Sequence, residues 1–187
     1  TVTIPNSVTS IGGFAFTGCS SLSSITIPSS VEFIGEGAFA DCISITSVTI
    51  PKTVKNLRTM VFSGCDALET VIIEEGFSQI NYSTFGDSDK LKSISIPDSV
   101  ISIDKEAFKN SPNVVISCNS GSYAHSYAVI NSIKYTLNFK NADIYYRTHV
   151  QNIGWQNYKS NGEMSGTSAQ SLRLEGINIK VSGNSNL

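Results

Sequence analysis

The sequence predicts a mainly β protein: a solenoid of stacked coils with a parallel sheet, closed by a short capping helix and followed by a small β module. Three observations carry this expectation. The first is a strict 23-residue period, seen in Ile4, Ile27, Ile50, Ile73 and Ile96, in Val8, Val31, Val54, Phe77 and Val100, and in Ile11, Ile34, Leu57, Ile80 and Ile103. The second is one phenylalanine per coil at a fixed register, namely Phe16, Phe39, Phe62, Phe85 and Phe108. The third is the decay of the period after residue 112, beyond which the composition changes twice. A fixed repeat of roughly 20 to 50 residues marks an array in which each unit leaves an apolar face for the next to cover.

Within one unit, β-branched residues alternate in Ile25-Thr26-Ile27 and Val48-Thr49-Ile50, the pattern of a short strand. Pro5, Pro28, Pro51 and Pro97 close it where a missing amide donor matters least. The following stretch turns the chain around the coil, with Gly12 and Gly35 expected to supply backbone freedom and the phenylalanine filling the interior. Stacking pairs equivalent strands in a parallel sheet and sets Leu22, Ile45, Leu68 and Leu91 in one aliphatic ladder. Cys19, Cys42 and Cys65 follow the same period, and Ser88 and Ser111 take their slot in later coils, so stacked small side chains are expected there. A bridge between neighbouring cysteines is not excluded by coil spacing but strands the third. Cys118 is off register, and no Cys-x-x-Cys or His spacing points to zinc.

The phrase Ile27-Pro28…Val31…Ile34-Gly35…Ala38-Phe39…Cys42 resembles the leucine-rich repeats of the BspA-like type over about residues 1 to 118. The resemblance implies a right-handed curved solenoid of surface proteins that adhere to other proteins or cells. The fourth unit departs from the phrase, with Glu74-Glu75-Gly76-Phe77 and Asn81-Tyr82-Ser83-Thr84, which predicts a local bulge without an end to the stack.

Outward strand positions hold mostly hydroxyl side chains, and Ser24, Thr26, Ser47, Thr49, Thr70, Ile72, Ser93 and Ser95 form the candidate binding face. Either this face recognises a partner, as solenoid sheets often do, or it is a solvated surface of good strand formers. No aromatic or arginine cluster marks a hot spot on it.

The last coil needs a cap. Residues 120 to 130 read as a short amphipathic helix with Tyr123, Tyr127 and Ile130 near one face and Ser120 or Ser122 as N-cap, and Ile133 to Leu137 as a closing strand. The phrase is similar to the closing segment that follows BspA-like repeats. His125 on this helix has no second ligand or acid partner nearby in sequence and is expected to be structural. The expected organisation is a capped solenoid over residues 1–137, a polar linker over 138–143 and a separate module over 144–187.

In that module Ile144 to Val150 alternates like a strand, placing Tyr145, Arg147 and His149 on one face. Asn161-Gly162 signals a hairpin, and the phase slip at Glu175-Gly176 predicts a β-bulge. The phrases His149-Val-Gln-Asn-Ile-Gly154-Trp155, Gly162-Glu-Met-Ser-Gly166 and Leu172-Arg-Leu-Glu-Gly176 are similar to a clostridial hydrophobic repeat, which usually occurs in tandem. That resemblance implies a secreted or surface protein of a Gram-positive, clostridium-like bacterium, and a module for surface attachment or for contacts with proteins or polysaccharides. His149, Trp155 and Tyr158 are its candidate attachment residues; Trp155 is either the core of the module or a platform for a sugar ring.

The chain has 187 residues, is 40% hydrophobic and carries a net charge of −2, so it buries a sizeable core yet offers no basic field for a nucleic-acid backbone. No apolar run approaches the roughly 20 residues a membrane helix needs, so no membrane insertion is expected of this segment. The start at Thr1, inside a repeat, leads us to expect a mature fragment or a trimmed chain, with further repeats before it. No nucleophile elbow, phosphate loop or metal signature is present, so neither catalysis nor a cofactor is expected. The leading expectation is a non-enzymatic adhesion or protein-interaction protein whose partner is a protein or a matrix or cell-surface component. The alternatives are a polysaccharide or cell-wall binding module and the accessory tail of a larger secreted hydrolase.

Overall fold

The structure is a computed structural model, and it describes residues 2–138, 143–150, 154–156, 159–160 and 174–182. The chain divides into two compact units, Thr1–Asn138 and Phe139–Leu187. The first holds, in chain order, β1 (Val2–Thr3), β2 (Ser10–Ile11), β3 (Ile25–Thr26), β4 (Phe33–Ile34), β5 (Ser47–Ile50), β6 (Thr70–Ile73), β7 (Gln79–Ile80), β8 (Ser93–Ser95), β9 (Ser102–Ile103), β10 (Val115–Asn119), α1 (Tyr123–Ile130) and β11 (Lys134–Asn138). The second holds β12 (Asp143–Val150), β13 (Gly154–Trp155), β14 (Lys159–Ser160) and β15 (Leu174–Ser182).

In the first unit the strands pair in parallel at the 23-residue offset. The main sheet runs β5-β6-β8-β10-β11, with Val48 opposite Val71 and Val71 opposite Ile94. A second parallel row links β2 to β4 and β7 to β9, joined by single bridges at Ile34–Leu57 and Asn56–Gln79. Between the two rows lies the core: Leu22, Ile45, Leu68 and Leu91 are buried, as are Ile34, Leu57, Ile80 and Ile103. The phenylalanines stack face to face, Phe16 on Phe39 and Phe39 on Phe62 at 5.2 Å, Phe62 on Phe85 at 5.9 Å and Phe85 on Phe108 at 5.8 Å. Translation by one coil brings identical rings together, which is why one residue type recurs at this register.

The cysteine slot has a definite chemistry. Cys42 Sγ donates to the Phe16 carbonyl at 3.1 Å, and Cys65 Sγ to that of Phe39 at 3.3 Å. Ser88 and Ser111 make the same bond to Phe62 and Phe85, so the slot requires a small S–H or O–H donor. All four cysteines are free, and only Cys19 is exposed. Burial pushes the Cys42 thiol up to about 11 and the Cys65 thiol up to about 12. Two results are expected. Iodoacetamide at pH 8, read by intact mass, labels Cys19 alone in the folded chain and all four thiols in denaturant. On alkaline titration the unfolded chain sheds these protons near pH 9 while the folded chain holds them, so stability falls as pH rises from about 9 toward 12.

One reading of the repeat is corrected. Neither Gly12 nor Gly35 is needed for backbone freedom, since neither φ is left-handed. At Gly35 the requirement is space. A Cβ there would stand 2.7 Å from Gly13 Cα and 2.8 Å from Gly12 C, so glycine allows two coils to touch backbone to backbone. The left-handed positions of the coil lie elsewhere, in one row at Phe14, Gly37, Met60 and Ser83 and in a second at Gly18, Asp41, Gly64, Asp87 and Asn110, each of the second row just before the cysteine or serine slot. Glycine, asparagine and aspartate adopt this region most readily. The departing fourth unit keeps the stack: Phe77 is fully buried, the Lys52 amide donates to Glu74 Oε2 at 3.0 Å, and Asn81 Nδ2 donates to the Leu57 carbonyl.

The cap closes the last coil. Ser122 is the N-cap of α1 and accepts from the His125 amide at 3.1 Å. The buried stripe is Ala124, Tyr127 and Ala128, whereas Tyr123 and Ile130 are exposed, contrary to the predicted face. Small alanines let the helix approach closely while Tyr127 lies on Phe108, ring centroids 6.2 Å apart, and donates its hydroxyl to the Asp104 carbonyl at 3.1 Å. Ser117 and Cys118 lie beyond the strict period, yet the strand pattern runs through them. They continue it in β10, where Ile116 and Cys118 point inward. His125 accepts the Gly121 amide through Nδ1 and packs edge-on to Tyr135 at 4.9 Å.

In the second unit β12 pairs antiparallel with β13, β14 and β15. Its register shifts between His149, opposite Gly176, and Val150, opposite Leu174, leaving Glu175 as the extra residue of the expected bulge. The Asn161-Gly162 hairpin lies outside the described residues.

Candidate functional site

The outward face of the main sheet is built by alternation. In β5 and β6 every second residue is buried, which sends Ser47, Thr49, Thr70 and Ile72 into solvent. Parallel pairing aligns them in two straight ladders, Ser47–Thr70–Ser93–Val115–Lys134 and Thr49–Ile72–Ser95–Ser117–Thr136. Of the candidates, Ser93 and Ser95 are half-buried and the rest exposed. Ser24 and Thr26 are exposed but stand apart: β3 ladders only with β1, so the backbone pairing predicted to run through every coil is interrupted before β5.

Ile72 breaks the run of hydroxyls. It is 47% exposed, with Thr49 and Ser95 as its cross-strand neighbours. At the margin Lys92 pairs with Glu69 at 3.1 Å, an exposed pair contributing less than about 1 kcal/mol. Sequence reasoning missed that β10 and β11 extend the face through Val115, Ser117, Lys134 and Thr136. The step from Ile94 to Ile116 is one residue shorter than the repeat, and the alternation Ile116-Ser117-Cys118 was the signal that survives that shift.

The other candidate residues lie in the second unit. His149 and Trp155 are cross-strand partners whose rings meet edge to face, centroids 5.2 Å apart. Thr148 and Val150, on either side of His149, are buried, while Trp155 is exposed. Tyr158 lies outside the described residues. Among the described residues no group of three or more His, Cys, Asp or Glu side chains could hold a metal ion, and no helix is long and apolar enough to cross a membrane.

Parallel coils, inward aliphatic and aromatic ladders and an outward sheet of short side chains define a leucine-rich-repeat solenoid. Residues 1–115 match the family described as BspA type leucine rich repeat region, in six copies, and the chain belongs to that family. Residues 149–183 match the family described as Clostridial hydrophobic W.

Three solved structures place these matches. A leucine rich cell surface protein from Faecalibacterium prausnitzii is 34% identical, with a TM-score of 0.63, over 74% of this chain and 35% of that one. A leucine rich repeat protein from T. pallidum is 27% identical, with a TM-score of 0.57, over 59% of this chain and 52% of its own. A leucine-rich repeat protein from Bacteroides ovatus is 37% identical, with a TM-score of 0.54, over 58% of this chain and 28% of its own. The chain thus spans between 28% and 52% of the length of these three solved chains. No curated protein matches it. The matching families and structures are repeat proteins, and none is an enzyme family.

Proposed function

We propose that this chain is a non-enzymatic interaction protein, secreted or displayed on the surface of a clostridium-like bacterium, that holds a protein partner on the main sheet of its solenoid. The observation that carries this reading is the pair of in-register ladders centred on Ile72, which set an exposed aliphatic side chain among short hydroxyl groups. Serine and threonine lose little rotamer freedom when a partner covers them, so a flat face of this composition binds at low entropic cost. Ile72 is the natural anchor, an apolar centre with a polar surround. The cell surface protein of F. prausnitzii, which shares the fold, supports the surface location. In this reading residues 1–137 are the binding scaffold, residues 138–143 a linker and residues 144–187 a separate attachment module.

The test is retention of the chain on immobilised extracellular-matrix proteins. Ile72→Lys, which leaves the inward residues of β6 untouched, is expected to weaken retention at least tenfold with an unchanged melting temperature. Equal retention of wild type and Ile72→Lys would rule out this face as the binding surface.

A further inference from the structure

We propose that the C-terminal end of the solenoid is a self-association surface, on which a second copy of this chain pairs β11 with β11, antiparallel and centred on Thr136. Two features of this end face the same way. β11 is the last strand of the main sheet and pairs only with β10 among the described residues, so its other edge points off the end of the stack. α1 lays Ala124, Tyr127 and Ala128 on the last coil, with Tyr127 against Phe108, so its opposite face points off the same end. That face shows Tyr123, Ser126, Val129 and Ile130, of which Val129 is 54% and Ile130 80% exposed. α1 holds no Asp, Glu, Lys or Arg, and Ser126 returns its hydroxyl to the Ser122 carbonyl at 3.3 Å. A helix that is apolar on two faces has room for a second packing partner, and covering this face strands neither a charge nor a hydroxyl.

Charge and register select a second copy as that partner. A two-fold axis brings the same patch of both chains together, so only a surface that tolerates its own kind pairs with itself. Antiparallel pairing centred on Thr136 sets Lys134 opposite Asn138, Tyr135 opposite Leu137 and Thr136 opposite Thr136. No lysine meets a lysine. Aromatic with aliphatic and threonine with threonine are favourable cross-strand pairs. Tyr135 and Leu137 share the inward register of Ile116 and Cys118, yet Tyr135 is 41% exposed at the end of the stack, where the second copy covers it. With one lysine and no proline, β11 is poorly guarded as a solitary edge. Because α1 joins β10 to β11, it lies between their levels. Strand pairing at about 4.8 Å therefore brings the two copies of α1 roughly 10 Å apart, a packing distance for helices. The dimer joins two main sheets edge to edge and doubles the outward ladders.

Sedimentation equilibrium of the full chain, from micromolar to near-millimolar concentration, tests this surface. The weight-average mass is expected to climb from 20.1 kDa toward twice that value. Ile130→Glu, at a position 80% exposed, sets carboxylates on the joined helix faces and is expected to raise the dissociation constant at least tenfold with an unchanged melting temperature. Asn138→Lys places like charges opposite each other across the axis and is expected to weaken association to a similar degree. Adding Lys134→Glu makes that pair attractive and restores the dimer. The restoration separates loss of register from loss of the hydrogen bond that Ser117 donates to Asn138 Oδ1, which the double variant also lacks. A mass of 20.1 kDa at every concentration, a dimer undiminished by Ile130→Glu or by Asn138→Lys, or one that Lys134→Glu fails to restore overturns the proposal. Each of these outcomes leaves the sheet-face reading of the solenoid untouched.

Discussion

Replacing Phe62 with alanine is expected to destabilise the solenoid by about 3–5 kcal/mol. Phe62 is fully buried and lies between Phe39 at 5.2 Å, with an interplanar angle of 4°, and Phe85 at 5.9 Å and 3°. Truncation removes the ring from two offset stacks at once and leaves a void whose walls belong to three successive coils. Small domains are stable by only about 5–15 kcal/mol, so the loss is a large fraction of the whole. Because each coil touches only its neighbours, the damage also weakens coupling between the two halves. Urea unfolding should show a lower midpoint and a broadened transition. Phe62→Leu, which keeps most of the volume, should cost less than half as much. A midpoint unchanged in Phe62→Ala would mean that the ladder does not hold the coils together.

Tyr127→Ala is expected to cost a similar amount, about 3–5 kcal/mol, but locally. Tyr127 covers Phe108, the last ring of the ladder, and its hydroxyl satisfies the Asp104 carbonyl. Without it α1 loses its one large buried side chain, because the rest of its stripe is Ala124 and Ala128. Amide exchange should therefore accelerate in α1, β10 and β11 while β5 and β6 stay protected. Tyr127→Phe keeps the ring and should cost about 1 kcal/mol. Acceleration spread evenly over every coil would contradict an end-capping role.

The core was legible in the sequence because stacking forces like residues to the same register. Ile34, Leu57 and Ile80 meet their equivalents one coil away, and substitution at any one is constrained by both neighbours. The same logic made the cysteine and serine slot readable. What escaped depended on geometry that does not repeat. The close approach at Gly35 exists only where Gly12 and Gly13 lie opposite, since later coils place Arg58, Asn81 and Asp104 at its register. The left-handed position before the cysteine slot was written as Gly18, Asp41, Gly64, Asp87 and Asn110, residues that share a backbone preference rather than a side-chain type, and the other left-handed row, Phe14, Gly37, Met60 and Ser83, shares neither. The cap face was misjudged because hydrophobicity favoured Ile130, whereas close packing on the last coil favours alanine. For the candidate site, alternation identified the outward residues of β5, β6 and β8, and the shortened step to β10 concealed the rest. Trp155 could be core or platform by sequence, and the structure leaves it 47% exposed beside its cross-strand partner His149.

Hydroxyl-radical footprinting of the chain, alone and bound to a retained matrix protein, tests the central claim most directly. Ile72 on the sheet face and Ile101 outside it are 47% and 71% exposed, so both aliphatic side chains are expected to be labelled in the free chain. The account predicts that the bound partner suppresses labelling of Ile72 and leaves Ile101 unchanged. Undiminished labelling of Ile72 in the complex would contradict it.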